Sequence, residues 1–185
     1  MNDMGNGSIS NAILGIEYAV SRGAKVINAS WGGTPCSKAL SDTIQGLANS
    51  GVIFVVAAGN SGQNIDYTPE YPAAFAGPTQ ITVGASTVSD ITAYFSNFGD
   101  NSVQLMAPGV NILSTFPGNQ TEVLSGTSMA SPFVAGAAAL LMSSYPNLPA
   151  TKIREAIVRS IDSGPYQVQF RGRLNIQKAL NYLKQ

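Results

Sequence analysis

Residues 126–142, GTSMASPFVAGAAALLM, combine a glycine turn, small hydroxyl residues and an alanine-rich apolar run. The apolar residues recur at helical spacing, which predicts a helix that a neighbouring backbone can approach closely. Ser128 would lie at its start, where unpaired N–H groups and the helix dipole stabilise negative charge. Pro132 fits the first turn of such a helix, because that turn tolerates a residue without an N–H. This arrangement favours nucleophilic attack by a serine hydroxyl; the alternative is a buried helix whose Ser and Thr residues only cap it.

Asn60 is the second candidate for chemistry, because it follows the apolar run VIFVVAAG directly. A side-chain amide held at the end of a buried strand can donate a hydrogen bond to a developing oxyanion. Asn-Ser-Gly is also good turn chemistry, so a purely local role in the turn is the alternative.

The spacing of apolar residues, together with cap and turn signals, predicts the secondary structure. Helices are predicted over residues 8–22, 37–49, 126–142, 150–160 and 175–184. Strands are predicted over residues 25–30, 52–58, 80–85, 103–107 and 111–115. Residues 59–79, 117–125 and most of 161–174 are predicted to be irregular.

The alternation of strands and helices predicts the fold class. Strand, helix and strand within about thirty residues form a βαβ unit, and continuously apolar strands favour a parallel sheet covered on both faces. We therefore expect an α/β fold, a three-layer sandwich with a mostly parallel central sheet. Ligands bind at the carboxyl ends of the strands in such sheets, which is where Asn60 and the turn before Ser128 would lie.

Composition narrows the function classes. At 185 residues the chain is expected to form one domain, residues 1–185. Ten basic residues balance ten acidic residues, so charge gives no reason to expect binding to nucleic acid or to an anionic membrane. No apolar run is long enough to span a bilayer, and the single cysteine, Cys36, excludes an internal disulfide and a cysteine zinc site.

The start of the sequence, MNDMGNGS, lacks the basic and apolar regions of a signal peptide, and localisation stays open. The sequence contains no histidine at all. A Ser-His-Asp mechanism built from these residues alone would therefore have no imidazole to act as general base.

Three segments, VINASWGG, VVAAGNSG and GTSMASPFVAG, resemble the subtilisin-like serine proteases (subtilases) in order and spacing. The resemblance implies a serine endopeptidase that hydrolyses peptide bonds through an acyl-enzyme on Ser128. It also implies that the Asn60 amide and the backbone N–H of Ser128 stabilise the oxyanion. Family members are mostly secreted.

The resemblance also implies a binding site for a polypeptide substrate in extended conformation. One side would be a strand that pairs with the substrate backbone and lines the first specificity pocket, formed by Ser30, Trp31, Gly32 and Gly33. The opposite wall would be formed by Ala57, Ala58 and Gly59. No cofactor is required, although the carbonyls of residues 71–74 resemble a weak structural calcium site of the family. The resemblance implies that the loop with Asp66 and Glu70 borders the primary specificity pocket, where these acids could favour a basic substrate residue. The preferred interpretation is that they are solvated loop charges.

The main departure from the family is that the segments with the triad Asp and His are not found. The sequence resembles the C-terminal two thirds of a catalytic domain, with the N-terminal part missing. We expect this chain alone to be inactive and an N-terminal segment or separate chain to supply Asp and His. The alternatives are a non-catalytic peptide-binding module and an inactive fragment. The apolar sheet and helix surface that the missing N-terminal part would cover is expected to make the isolated chain self-associate.

Overall fold

The computed structural model describes residues 6–184, which form two β-sheets and five helices. The strands are β1 (Val26–Ala29), β2 (Ile53–Ala57), β3 (Gln80–Ser86), β4 (Leu105–Pro108), β5 (Ile112–Phe116), β6 (Gln120–Leu124), β7 (Ile161–Ser163) and β8 (Gly172–Leu174). The helices are α1 (Ile9–Ser21), α2 (Lys38–Gly46), α3 (Thr127–Ser144), α4 (Ala150–Arg159) and α5 (Ile176–Tyr182).

The central sheet has six strands in the order β1-β2-β3-β4-β8-β7. Strands β1 to β4 run parallel to one another, β8 is parallel to β4, and only β7 is antiparallel, at the far edge. Every residue of β2 is buried, as a strand covered on both faces requires. The mostly parallel α/β fold predicted from the sequence is thus confirmed.

Helices cover both faces of the sheet, which gives three layers. Alternate residues of a strand point to opposite faces, and β2 divides its side chains between two cores in this way. Ile53 and Val55 pack in the core that contains the buried face of α3, while Phe54 and Val56 pack in the core beneath α1 and α2. Helices α4 and α5 join the α3 side.

Side-chain caps set the starts of three helices. The Oγ of Ser8 accepts from the N–H of Asn11 at 3.1 Å, and the Oγ of Ser37 accepts from Leu40 at 3.3 Å. Asn175 caps α5 in the same way, at 2.9 Å from the N–H of Lys178. These bonds satisfy N–H groups that have no partner within the first turn. None of the described helices combines the length and apolarity needed to cross a membrane.

Two stretches predicted to be irregular contain strands. Residues 117–125 hold β6, which pairs antiparallel with β5 in a separate two-stranded sheet. The turn between them places Gly118 at φ +84° and Asn119 at φ +57°, the left-handed region that these two residue types tolerate best. Residues 161–174 hold β7 and β8, which extend the central sheet beyond β4.

Candidate active site

Ser128 is the second residue of α3, and the start of this helix contacts the turn that follows β4. The N–H of Gly126, the N-cap residue, donates to the carbonyl of Gly109 at 2.8 Å. A Cβ added at Gly109 would lie 2.9 Å from the carbonyl oxygen of Gly126, so the backbone of the turn after β4 is in close contact with the start of α3. Ser128 itself is half-buried, and its N–H, at the second position of the helix, has no acceptor among the described residues.

The sequence predicted Pro132 in the first turn of α3, and this prediction is wrong. Pro132 lies in the second turn, because the helix already begins at Thr127. A proline has no N–H, so the carbonyl four residues earlier, that of Ser128, loses its helical donor. The Oγ of Ser30 takes the place of that donor and reaches the Ser128 carbonyl at 2.9 Å. In return the Oγ of Ser128 donates to the Ser30 carbonyl at 3.3 Å.

Two further polar side chains join the end of β1 to α3. The amide nitrogen of Asn28 donates to the Oγ of Ser30 at 2.9 Å, and the hydroxyl of Ser131 is hydrogen-bonded to Oδ1 of Asn28. The segment that carries Ser30 is thus bound to the helix that carries Ser128 by several polar contacts.

Asn60 follows β2 and is oriented by Thr127. Its Oδ1 accepts from the backbone N–H of Thr127 at 2.8 Å and from the Thr127 hydroxyl at 3.0 Å. This fixes which end of the amide is oxygen, and the Nδ2 donors are directed elsewhere. Among residues 6–184 no acceptor binds Nδ2. The side chain therefore has a free donor, and Asn60 and Ser128 line the same cavity.

A cavity of about 210 Å³ brings most of the sequence-predicted site residues together. It is lined by Ser30, Trp31, Gly32, Ala57, Gly59, Asn60, Glu70, Tyr71, Ala73, Thr127 and Ser128. Gly33 lies instead on a neighbouring groove, and its N–H and carbonyl are both bonded to the backbone of Tyr71, at 2.8 and 2.7 Å. Ala58 is fully buried and does not line the cavity.

Asn97 is a residue of the site that sequence reasoning missed. It is fully buried, and its Oδ1 accepts from the N–H groups of Ser61 and Gln63 at 3.1 and 3.0 Å. Its Nδ2 donates to the Ala58 carbonyl and to Oε1 of Glu70, both at 3.0 Å. Asn97 therefore holds the turn that carries Asn60. No spacing pattern signals it, because its partners are 27 to 39 residues away in the sequence.

The two acids of the loop after Asn60 have different environments. Asp66 caps another turn, where it accepts from the N–H groups of Asn101 and Ser102 at 3.1 and 2.8 Å, and it does not line the cavity. Burial alone would raise the pKa of Asp66, but these hydrogen bonds outweigh it and hold the pKa below its ordinary value. Glu70 lines the cavity and is half-buried.

Three of the four carbonyls of residues 71–74, which the resemblance implied for a weak cation site, already accept hydrogen bonds. Calcium requires several free oxygen ligands. The Tyr71 carbonyl accepts from Gly33, and those of Pro72 and Ala73 accept from the amide of Gln80 at 3.0 and 3.1 Å. Within residues 6–184 there is also no group of three or more acidic, histidine or cysteine side chains that could hold a metal ion.

Residues 1–177 match the family model of the subtilase family, Peptidase S8. The chain belongs to this family, whose chemistry is hydrolysis of peptide bonds by a serine protease mechanism. It is 40% identical over 181 residues to subtilisin DY of Bacillus licheniformis, which covers 97% of this chain and 65% of that protein. It is 39% identical to thermitase of Thermoactinomyces vulgaris, over 98% of this chain and 63% of that protein.

Solved structures agree with the family. The prenylagaramide maturation protease PagA superposes with a TM-score of 0.84 and 33% identity, over 96% of this chain and 68% of that one. A cold-adapted subtilisin-like serine proteinase superposes with a TM-score of 0.80 and 36% identity, over 92% of this chain and 61% of that one. The chain thus spans just under two thirds of the length of the curated relatives described above.

Proposed function

We propose that this chain is the nucleophile-bearing part of a serine endopeptidase, with Ser128 as the nucleophile. The observation that carries the proposal is the arrangement of Ser128 and Asn60 on one cavity, with the free Nδ2 of Asn60 and the first-turn N–H of Ser128 beside the hydroxyl. A carbonyl carbon attacked by the Ser128 Oγ would place its oxygen between these two donors.

Oxyanion stabilisation depends on donors that are already oriented before the reaction. Thr127 supplies this orientation, because it occupies Oδ1 of Asn60 and leaves only the nitrogen end free. Loss of one such donor in a subtilisin lowers kcat by roughly 10²–10³, a figure taken from the family to which this chain belongs.

The substrate is an extended polypeptide. A groove of about 530 Å³ lies beside the cavity, with residues 6–9 and the start of α1 on one side and Trp31, Gly32 and Gly33 on the other. The N–H and carbonyl of Gly33 are hydrogen-bonded to the backbone of Tyr71, whereas those of Gly32 form no backbone hydrogen bond with any described residue. Gly32 is thus the position best placed to pair with an extended chain.

The reaction also requires a base that accepts the Ser128 proton. The hydroxyl attacks the peptide carbonyl as its proton passes to the base, which then protonates the leaving amine, and water hydrolyses the resulting acyl-enzyme by the reverse route. The sequence contains no histidine, so we propose that a polypeptide outside these 185 residues supplies the imidazole and its carboxylate partner. We call it the completing segment.

The free edge of β1 is the proposed binding site for the completing segment. Among residues 6–184, β1 pairs only with β2, so its other edge presents N–H and carbonyl groups that no described strand binds. Helices α1 and α3 also expose large apolar side chains, Leu14 and Tyr18 on α1 and Phe133 and Leu140 on α3. We call β1 and these four side chains the open edge.

The test is complementation. A polypeptide that carries the Asp and His segments of the family, fused or added in trans, is expected to yield a species that hydrolyses a fluorogenic peptide. Ser128→Ala in the same preparation is expected to abolish that activity, while the fluorogenic peptide stays intact with either component alone. A stable complex or fusion without Ser128-dependent hydrolysis would contradict the proposal.

A second candidate function is peptide binding without cleavage. It is favoured by one observation: the only hydrogen-bond partner of the Ser128 hydroxyl among the described residues is the Ser30 carbonyl, which cannot accept a proton in catalysis. Under this function, peptides bind the groove with equal affinity in the natural chain and in Ser128→Ala, and complementation yields no hydrolysis.

A further inference from the structure

Glu70 carries a carboxylate oxygen that the fold does not use. Its Oε1 accepts from the hydroxyl of Ser61 and from Nδ2 of Asn97, both at 3.0 Å. No donor from the described part of the chain binds its Oε2. Glu70 also forms none of the ion pairs between residues 6 and 184. One oxygen therefore anchors the side chain and the other remains available.

The free oxygen lies against the cavity wall next to the proposed oxyanion donors. A Cβ built on Gly59 would be 2.4 Å from Oε2, so the carboxylate packs directly on the α-carbon of Gly59. The N–H of the same glycine donates to the Thr127 hydroxyl at 3.1 Å. Gly59, at φ +102°, thus lies between Glu70 and Thr127, and a side chain at this position would be strained and would displace the carboxylate.

Size and polarity of the cavity limit what it can hold. Its volume of about 210 Å³ is below the roughly 300–1,000 Å³ of pockets that hold drug-sized ligands, and it suits a single side chain. Trp31, Ala57 and Ala73 provide apolar wall, and Glu70 is the one charged residue among the described residues that line it. The other lining residues add uncharged polar groups, and this combination of apolar surface with one acid is complementary to a long aliphatic stem that ends in a cation.

We propose that this cavity selects a lysine or arginine side chain of the bound polypeptide through Oε2 of Glu70. The inference rests on the proposed function, because it assigns the substrate residue whose carbonyl lies at Ser128. It replaces the interpretation of Glu70 as a solvated loop charge. Asp66 does not line the cavity, and its carboxylate binds the N–H groups of Asn101 and Ser102 instead. The cavity is partly open to solvent, so the expected preference over an uncharged side chain of similar length is about fivefold.

Trp31 permits a test on the chain as it stands. It is the only tryptophan of the sequence and lines the cavity, so its fluorescence reports occupancy. The probes are tripeptide amides, acetyl-Ala-Ala-Xaa-amide, in which Xaa is lysine, arginine, norleucine or glutamate. We expect the lysine and arginine peptides to bind about fivefold more tightly than the norleucine peptide, and the glutamate peptide more weakly than all others.

Glu70→Gln is the decisive variant, because a glutamine oxygen can still accept from Ser61 and Asn97 while the free oxygen becomes an uncharged amide. It is expected to bind all four peptides with similar affinity. Glu17→Gln, which removes the same charge from an exposed position of α1, is the matched control and is expected to keep the lysine preference.

The possible failures are distinguishable. Equal binding of lysine and norleucine peptides by the natural chain would overturn the role of Glu70 and leave the peptide groove standing. A lysine preference that survives in Glu70→Gln would overturn it as well. If none of the four peptides changes the Trp31 fluorescence and equilibrium dialysis also detects no binding, the groove and this inference both fail.

Discussion

Ser30 and Ser128 are bound to each other reciprocally, each through a hydroxyl that donates to the other's carbonyl, at 2.9 and 3.3 Å. The first of these bonds exists because Pro132 has no N–H to give to the Ser128 carbonyl. The residue proposed to line the substrate pocket is thereby attached to the proposed nucleophile, although 98 positions separate them.

This relationship predicts a coupling that a double-mutant cycle can measure. Ser30→Ala is expected to lower the free energy of unfolding by about 1 kcal/mol, because the Ser128 carbonyl loses its donor. In a Pro132→Ala background the same substitution is expected to cost less, because the alanine N–H restores the helical hydrogen bond. Urea unfolding of the four proteins measures the difference. If Ser30→Ala lowers the free energy of unfolding equally in both backgrounds, the Ser30 hydroxyl does not substitute for the N–H that Pro132 lacks.

Thr127 is expected to matter more for stability than its size suggests. It is buried, donates to Asn60 through its hydroxyl and accepts from the N–H of Gly59 through the same oxygen. Thr127→Val keeps the shape but leaves the Gly59 N–H unpaired, at a cost of about 1–3 kcal/mol in the free energy of unfolding. Thr127→Ser keeps the hydroxyl and is the matched control. If valine and serine variants unfold at the same urea concentration, the hydroxyl does not hold this turn.

Acid is expected to destabilise the protein partly through Asp66. The pKa of Asp66 is lower in the folded protein than its ordinary value of 3.8. The charged form is therefore the stabilising one, and its contribution is present above that value and disappears as the pH falls below it towards the folded pKa. Asp66→Asn is expected to be less stable than the natural protein at about pH 6 and to approach it below about pH 3.

Unfolding in urea across this pH range tests the expectation. Asp42→Asn removes the same charge from an exposed pair with Lys38 on α2 and serves as the control. A stability difference between the natural protein and Asp66→Asn that stays constant from pH 6 to pH 3 would contradict the account.

The open edge predicts self-association of the isolated chain. Large exposed apolar areas are rarely tolerated on monomers, and Leu14 and Leu140 are 61% and 48% exposed. Light scattering is expected to show a mass that rises with concentration, and Leu14→Gln with Leu140→Gln is expected to reduce this rise. Val88→Gln, at a fully exposed position outside the open edge, is the control. A constant monomer mass at high concentration would contradict the expectation.

Local signals in the sequence predicted the regular elements well. The apolar run of β2 and the cap residues Ser8 and Ser37 act through near neighbours, so spacing alone locates them. Strand β5 was predicted, but β6 and its pairing with β5 were missed, because β6 is exposed along its whole length and shows no apolar alternation. The Gly118-Asn119 turn is nevertheless a hairpin signal between two extended runs.

Motifs in the sequence mark only part of the candidate site. Ser128 and Asn60 stand in segments that resemble the family, and the resemblance also named Glu70 beside the primary pocket. Asn97 and the hydrogen bonds that anchor Glu70 join distant parts of the chain. The hydrogen bond from Ser30 to the Ser128 carbonyl was also not predicted, because it depends on where α3 begins relative to Pro132. Such relations are decided by tertiary packing, which no local pattern records.

The most direct test of the central claim is the reactivity of Ser128 towards a fluorophosphonate probe. A serine hydroxyl needs a base that accepts its proton, and this sequence contains no imidazole. We therefore expect no labelling of the isolated chain, and labelling at Ser128, located by peptide mass spectrometry, once the completing segment is present. Ser128→Ala with the completing segment is expected to give no label. Labelling of the isolated chain that is lost in Ser128→Ala, or labelling of the completed protein at another residue, would contradict the account.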